Sequence, residues 1–142
     1  MKINLGCGPY KAAGYVNIDI NPLWQPEIVR DLRRGLPFGD GQADEIIASH
    51  VLEHLGSDDV LFVLQESWRI LQAGGILKIT VPTGVSGDLE HKTFYSGRSF
   101  LEMTTDDVQQ HYQFPFRWKE IHRSESKDDH CRMLHVQLEA VK

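Results

Sequence analysis

The chain has 142 residues, of which 41% are apolar and 25% charged, and its formal net charge is −5. That length holds one domain with a real core and little more, and the composition is that of a soluble globular protein. The acidic balance, with Lys and Arg scattered, excludes a broad nucleic-acid footprint, and no apolar run is long enough for a membrane span.

Residues 2–5 form a short apolar run stopped by Gly6, which predicts a buried strand. Residues 16–20, rich in β-branched side chains, predict a second strand. Residues 27–32 predict a weaker third, and 43–49, ADEIIAS, a fourth. Residues 58–72 predict a helix, because Leu61, Leu64, Trp68 and Leu71 recur at helical spacing. Ser57 is its expected N-cap, Asp58 and Asp59 suit the positive end of its dipole, and Gly74-Gly75 is its expected stop. Residues 75–82 predict a fifth strand. Residues 83–96 are polar and turn-rich, 96–103 and 106–111 predict short helices, and 116–123 predict a strand. Residues 132–142 predict a clear one, since Leu134, Val136, Leu138 and Ala140 alternate with polar residues. Strands interleaved with a helix imply one α/β domain over 1–142, with a mostly parallel sheet and an antiparallel C-terminal edge. Cys7 and Cys131 show no disulfide spacing, and the first residues show no signal-peptide pattern; both suit a reducing cytoplasm.

The first glycine loop is the most informative stretch. Gly6-Cys7-Gly8 leaves the first strand where ligands of parallel sheets bind. Glycine reaches positive φ and lets a ligand approach the backbone, whose free N–H groups can receive an anion. A dinucleotide fingerprint needs a third glycine, where Lys11 stands, and an acid further on than Asp19. That counts against NAD or FAD. Asp19 at the end of the second strand can still accept hydrogen bonds from ribose hydroxyls. A tight turn beside an exposed acid would read the same way.

The ordered phrases NLGCGP, NIDI, RDL, LPFGDGQADEIIASHVLEHL and WRILQAGGILKITVP carry a family resemblance. Over roughly 2–103 the chain resembles the class I S-adenosylmethionine-dependent methyltransferases, in the compact form with a shortened first crossover. The resemblance implies a Rossmann-like, doubly wound fold and S-adenosylmethionine as cofactor. It implies that Gly6, Cys7 and Gly8 hold the methionine end by backbone contacts. Asp19 is then expected to hold the ribose, Ile20 to lie beside the adenine, and Asp31 and Leu32 to meet the adenine edge. Ser49 and His50 are expected to line the cofactor near the methionine. Family members commonly carry helices before the first strand that cover the substrate. This sequence opens on the strand, so residues 83–115 are the expected lid, unless a second subunit in a homodimer covers the site.

Methyl transfer needs alignment and exclusion of water, and needs a base only when the acceptor must lose a proton early. His91, in DLEHKTFYS, and Tyr95 are the candidates, and a surface histidine in a polar loop is the competing reading of His91. The expected acceptor is a small molecule, a sugar or other metabolite presenting oxygen or nitrogen; nucleic acid and membrane are not expected partners. The alternative is a non-catalytic regulatory protein that binds the same cofactor. HVLEH, residues 50–54, also matches the inverted zinc-hydrolase signature, with two histidines four apart and Glu53 as base. That reading needs a stable helix, whereas the phrase leaves a strand and stops at Gly56 with no evident third ligand, so no metal site is expected. DGQAD, residues 40–44, resembles part of a calcium loop but lacks its spacing and bidentate Glu. His122 and His135 are expected at exposed positions of paired strands. Trp24, Trp68 and Trp118 are expected to serve packing.

Overall fold

Each apolar run of the N-terminal half becomes a strand of one sheet. A computed structural model describes residues 1–84, 87–105, 113–127 and 131–142. The strands are β1 (Lys2–Leu5), β2 (Val16–Asp19), β3 (Ile28–Val29), β4 (Ala43–Ser49), β5 (Leu71–Thr83), β6 (Arg117–Lys127) and β7 (Arg132–Val141), with helix α1 (Ser57–Ile70) between β4 and β5. They form a seven-stranded sheet in the order β3-β2-β1-β4-β5-β7-β6. Neighbours from β3 to β5 run parallel, and β7 is antiparallel to both β5 and β6. The chain therefore winds outward from β1 in both directions, as the family resemblance implies, and the order reverses between β1 and β4.

One face of the sheet is apolar. Ile3, Ile46, Leu77 and Leu138 lie in register across four strands, and Leu5, Ala48, Ile79 and Val136 form the next row. Both rows are buried and join one core cluster with Val60, Val63, Leu64 and Ile70 of α1. The opposite face carries Glu45, Lys78, Thr80 and His135 and is held by polar contacts. Glu45 accepts from the Tyr15 hydroxyl, and from Lys78 Nζ at 2.7 Å. His135 bridges Thr80 Oγ1 at 3.1 Å and Ser126 Oγ at 2.7 Å. Parallel strands are usually apolar on both faces because helices cover both; here the second face is satisfied by its own side chains.

Some boundaries differ from the sequence expectation. The helix caps on Gly56 without a side-chain bond, leaving Ser57 as its first residue. It ends at Ile70 and passes straight into β5. Gly74-Gly75 lies instead in the irregular start of that strand, where Ala43 pairs with Leu71 and the next pair is Glu45 with Ile76. The predicted helix over 96–103 is reduced to a 3-10 turn, Leu101–Met103, and that over 106–111 lies outside the described residues. His122 pairs with Gln137 and not with His135.

The short crossover from β1 to β2 holds no helix, and a side chain does that work. Buried Asn17 accepts from Asn4 Nδ2 and from Ala12 N–H, each at 2.8 Å, and donates to the carbonyls of Ala12 and Tyr15. Glu27 accepts from Asn17 N–H at 3.0 Å and pairs with Lys11 at 2.7 Å. A polar knot thus satisfies backbone groups that a helix would otherwise pair.

Candidate functional site

The site grows from the carboxyl ends of β1, β2 and β4, at the point where the strand order reverses. Gly6 has φ +60, and an ideal Cβ there would stand 2.3 Å from Val51 Cγ2. The loop after β1 is thereby packed against the segment after β4, an approach only glycine permits. Gly8 has φ +49 with no atom within 4 Å of its would-be Cβ, so its backbone faces open space. Gly8 N–H donates to Asp19 Oδ2 at 2.8 Å, and Asn21 N–H donates to Asp19 Oδ1 at 2.8 Å. The acid that ends β2 therefore holds the glycine loop to itself.

These elements wall a cleft of about 440 Å³, within the usual range for small-molecule sites. Gly6, Gly8, Asp19, Ile20, Asp31, Leu32 and His50 line it. Cys7 and Ser49 do not: Cys7 turns inward, and burial, then Asp19, pushes its thiol up from the ordinary value. Asp31 caps a 3-10 turn by accepting from Arg33 N–H, and pairs with the Arg33 guanidinium at 2.8 Å. That hydrogen bond holds its carboxyl below the usual carboxylate range.

Sequence reasoning missed Asn21, Arg30, Arg33, His54 and Lys92 on the cleft wall. It also placed Trp24 in packing, whereas Trp24 is 42% exposed and lines the cleft. Trp68 and Trp118 do pack, Trp68 with a hydrogen bond from Nε1 to the Val141 carbonyl and Trp118 in the core.

The segment after β5 folds back on the turn after β4. Lys92 and Thr93 N–H groups donate to the Glu53 carbonyl at 2.7 and 3.2 Å, and Thr93 Oγ1 donates to the Leu55 carbonyl at 2.7 Å. His91 is not among the residues lining the cleft, although Glu90 and Lys92 are; the clasp sets its ring edge-on to His54 with centroids 5.0 Å apart. Tyr95 sits elsewhere, 6% exposed, stacked on Phe100 and lining a separate cavity near the N-terminal end of α1. Burial, reinforced by Glu53, pushes its phenol well up. The HVLEH phrase is not α-helical. His50 has φ 52, and Leu52–His54 is a 3-10 turn.

The sequence matches a family described as a methyltransferase domain over residues 4–79. No curated protein matches it. Among solved structures, a SAM-dependent methyltransferase from Methanosarcina mazei is similar with a TM-score of 0.68 at 14% identity, covering 99% of this chain and 92% of that one. The 1,6-didemethyltoxoflavin-N1-methyltransferase of Burkholderia thailandensis, solved with 1,6-didemethyltoxoflavin and S-adenosylhomocysteine bound, gives 0.68 at 12% identity, covering 99% and 71%. The cyclase SpnF gives 0.71 at 10% identity, covering 99% and 74%. At these identities the likeness is one of fold.

Proposed function

The chain belongs to the class I S-adenosylmethionine-dependent methyltransferase family, and on that premise we propose that it moves the cofactor's methyl group to a small-molecule acceptor. The observation that carries this reading is the 2.8 Å bond from Gly8 N–H to Asp19 Oδ2. It sets bare backbone beside an acid at one cleft, which suits a ligand that is an amino acid at one end and a nucleoside at the other.

The residues fit that ligand. Open space over Gly8 lets the methionine portion lie against the loop from Gly6 to Gly8. Each oxygen of Asp19 accepts one backbone N–H, and a carboxylate has about four acceptor sites, so two remain for the ribose hydroxyls. Ile20, 60% exposed, and Trp24 present apolar surface for the adenine. Asp31 and Leu32 line the same cleft, which supports reading them as the contacts to the purine edge, with Arg33 fixing the Asp31 carboxylate. Cys7 supports the loop from inside, and Ser49, paired with Thr80, fixes the strand end from which His50 turns into the cleft.

When bound, S-adenosylmethionine supplies an electrophilic methyl group on a sulfonium. The chain's own part is to align the acceptor and keep water away. We read the wall made by His50, His54, Glu90 and Lys92 as the acceptor side, and the clasp from Lys92 and Thr93 to the 53–55 turn holds that wall in place. A metabolite hydroxyl or amine, as on a sugar, is the acceptor class this polar wall suits.

Two measurements test the reading. Incubation with methyl-labelled cofactor and a metabolite extract is expected to label one component; saturable binding with no transfer would contradict the transferase and leave a binding protein. Calorimetric titration with S-adenosylhomocysteine is expected to show that Asp19→Ala weakens binding by about 1–3 kcal/mol, the cost of losing a charged hydrogen-bond acceptor. Unchanged affinity would displace the ribose from Asp19.

A further inference from the structure

Glu53 is a buried carboxylate without an evident reason to be there. Its side chain is 1% exposed, and Oε2 has no hydrogen-bond partner among the described residues. Oε1 lies 3.3 Å from His50 Nδ1. A buried charge is ordinarily paired, hydrogen-bonded or bound to a metal, and a half-satisfied one is costly.

What surrounds Glu53 is a set of ligands. One ligand atom each from Glu53, His54 and His91 lie within 4.8 Å of one another. His54 follows Glu53 on the 3-10 turn, and His91 arrives from the far side of the sequence, its side chain 12% exposed. The backbone clasp from Lys92 and Thr93 to Glu53 fixes that arrival. Asp88 Oδ2 lies 3.5 Å from His91 Nε2 and adds negative charge at the rim.

We infer that Glu53, His54 and His91 form a binding site for a divalent metal ion of the zinc class. Two imidazoles and a carboxylate suit zinc and its first-row neighbours, not magnesium or calcium, which take oxygen ligands. Bonds of about 2.1 Å set ligand atoms about 3.4 Å apart in a tetrahedron, so atoms now within 4.8 Å of one another close in by up to about 1.4 Å. Three protein ligands would leave a fourth position for water or another ligand, and His54 also lines the cleft. His50, held to the Glu53 carboxylate, orients that ligand from outside. This is a different grouping from the one HVLEH suggests: His50 is not a ligand, Glu53 is a ligand and not a base, and the third member lies beyond the motif. It requires neither the cofactor nor methyl transfer.

The test uses the full chain, stripped with a chelator and titrated with cobalt(II) alone. The expected result is one equivalent bound, with visible ligand-field bands of a four- or five-coordinate ion and no thiolate charge-transfer band. The bands are expected to vanish in His91→Ala and His54→Ala and to persist in His122→Ala, whose histidine lies on β6. Glu53→Gln is expected to weaken binding at least tenfold, and zinc to displace cobalt. Far-UV circular dichroism checks folding, and His91→Asn serves if an alanine variant does not fold. No saturable binding by the wild type, a thiolate band, or unchanged bands in a folded His91 variant would overturn the assignment.

Discussion

At the scale of single residues, Gly6 and Asp19 determine the site. Any side chain at Gly6 meets Val51 and also a backbone at φ +60. Gly6→Ala is expected to destabilise the fold by at least about 2 kcal/mol, from strained backbone and overpacking together. Urea midpoints at unchanged slope measure it, and a midpoint equal to wild type would mean that the β1 and β4 loops do not touch. The glycines and Asp19 are legible in the sequence because both their spacing and their chemistry are local. The cluster of His54 with His91 is not. Its members are separated by a helix and a strand, and only the clasp onto the Glu53 carbonyl brings them together. Trp24 was misjudged for a similar reason: its exposure depends on a 3-10 turn, Pro22–Trp24, capped by Asn21.

At the scale of elements, the β1–β2 crossover shows how a parallel connection can dispense with a helix. Parallel neighbours usually need a crossover of a dozen or more residues. Here Asn17, Lys11 and Glu27 take over the backbone pairing. Hydrogen bonds from Lys11 first, then Asn17, lower the Glu27 carboxyl from 4.5 to about 2. A depressed carboxylate stabilises the fold above its unfolded value and loses that effect as pH falls through the folded one. Glu27→Gln is therefore expected to flatten the loss of stability between pH 4.5 and about 2, read from urea unfolding across that range. An unchanged slope would exclude Glu27 from the knot. The strands and α1 are legible because their periodicities are strong. The end of α1 is not, because Gly74-Gly75 resembles a helix stop yet belongs to a strand whose register slips there.

At the scale of the whole molecule, the sheet has one face packed against α1 and one face that carries a network of polar contacts. On the second face the Tyr15 phenol is raised to about 12, chiefly by its hydrogen bond to Glu45. A raised phenol favours the folded state below its unfolded value near 10 and loses that contribution as pH rises through about 12. Tyr15→Phe is expected to flatten the alkaline limb of the stability profile, measured by urea midpoints over that interval; an unaltered limb would remove Tyr15 from this network. A mostly parallel sheet with an antiparallel C-terminal edge is legible because strands alternate with a helix, and its doubly wound order is legible in the family resemblance. The polar second face was not, since Glu45, Lys78 and His135 each read as an ordinary solvated position until the register aligns them. The cleft at the carboxyl ends of the strands follows from this architecture, and a crystal structure grown with S-adenosylhomocysteine tests its proposed role most directly. The expected density places the ribose hydroxyls on Asp19 and the amino-acid end against Gly6 and Gly8. Ligand bound elsewhere, with Asp19 contacting only the backbone of Gly8 and Asn21, would contradict the account.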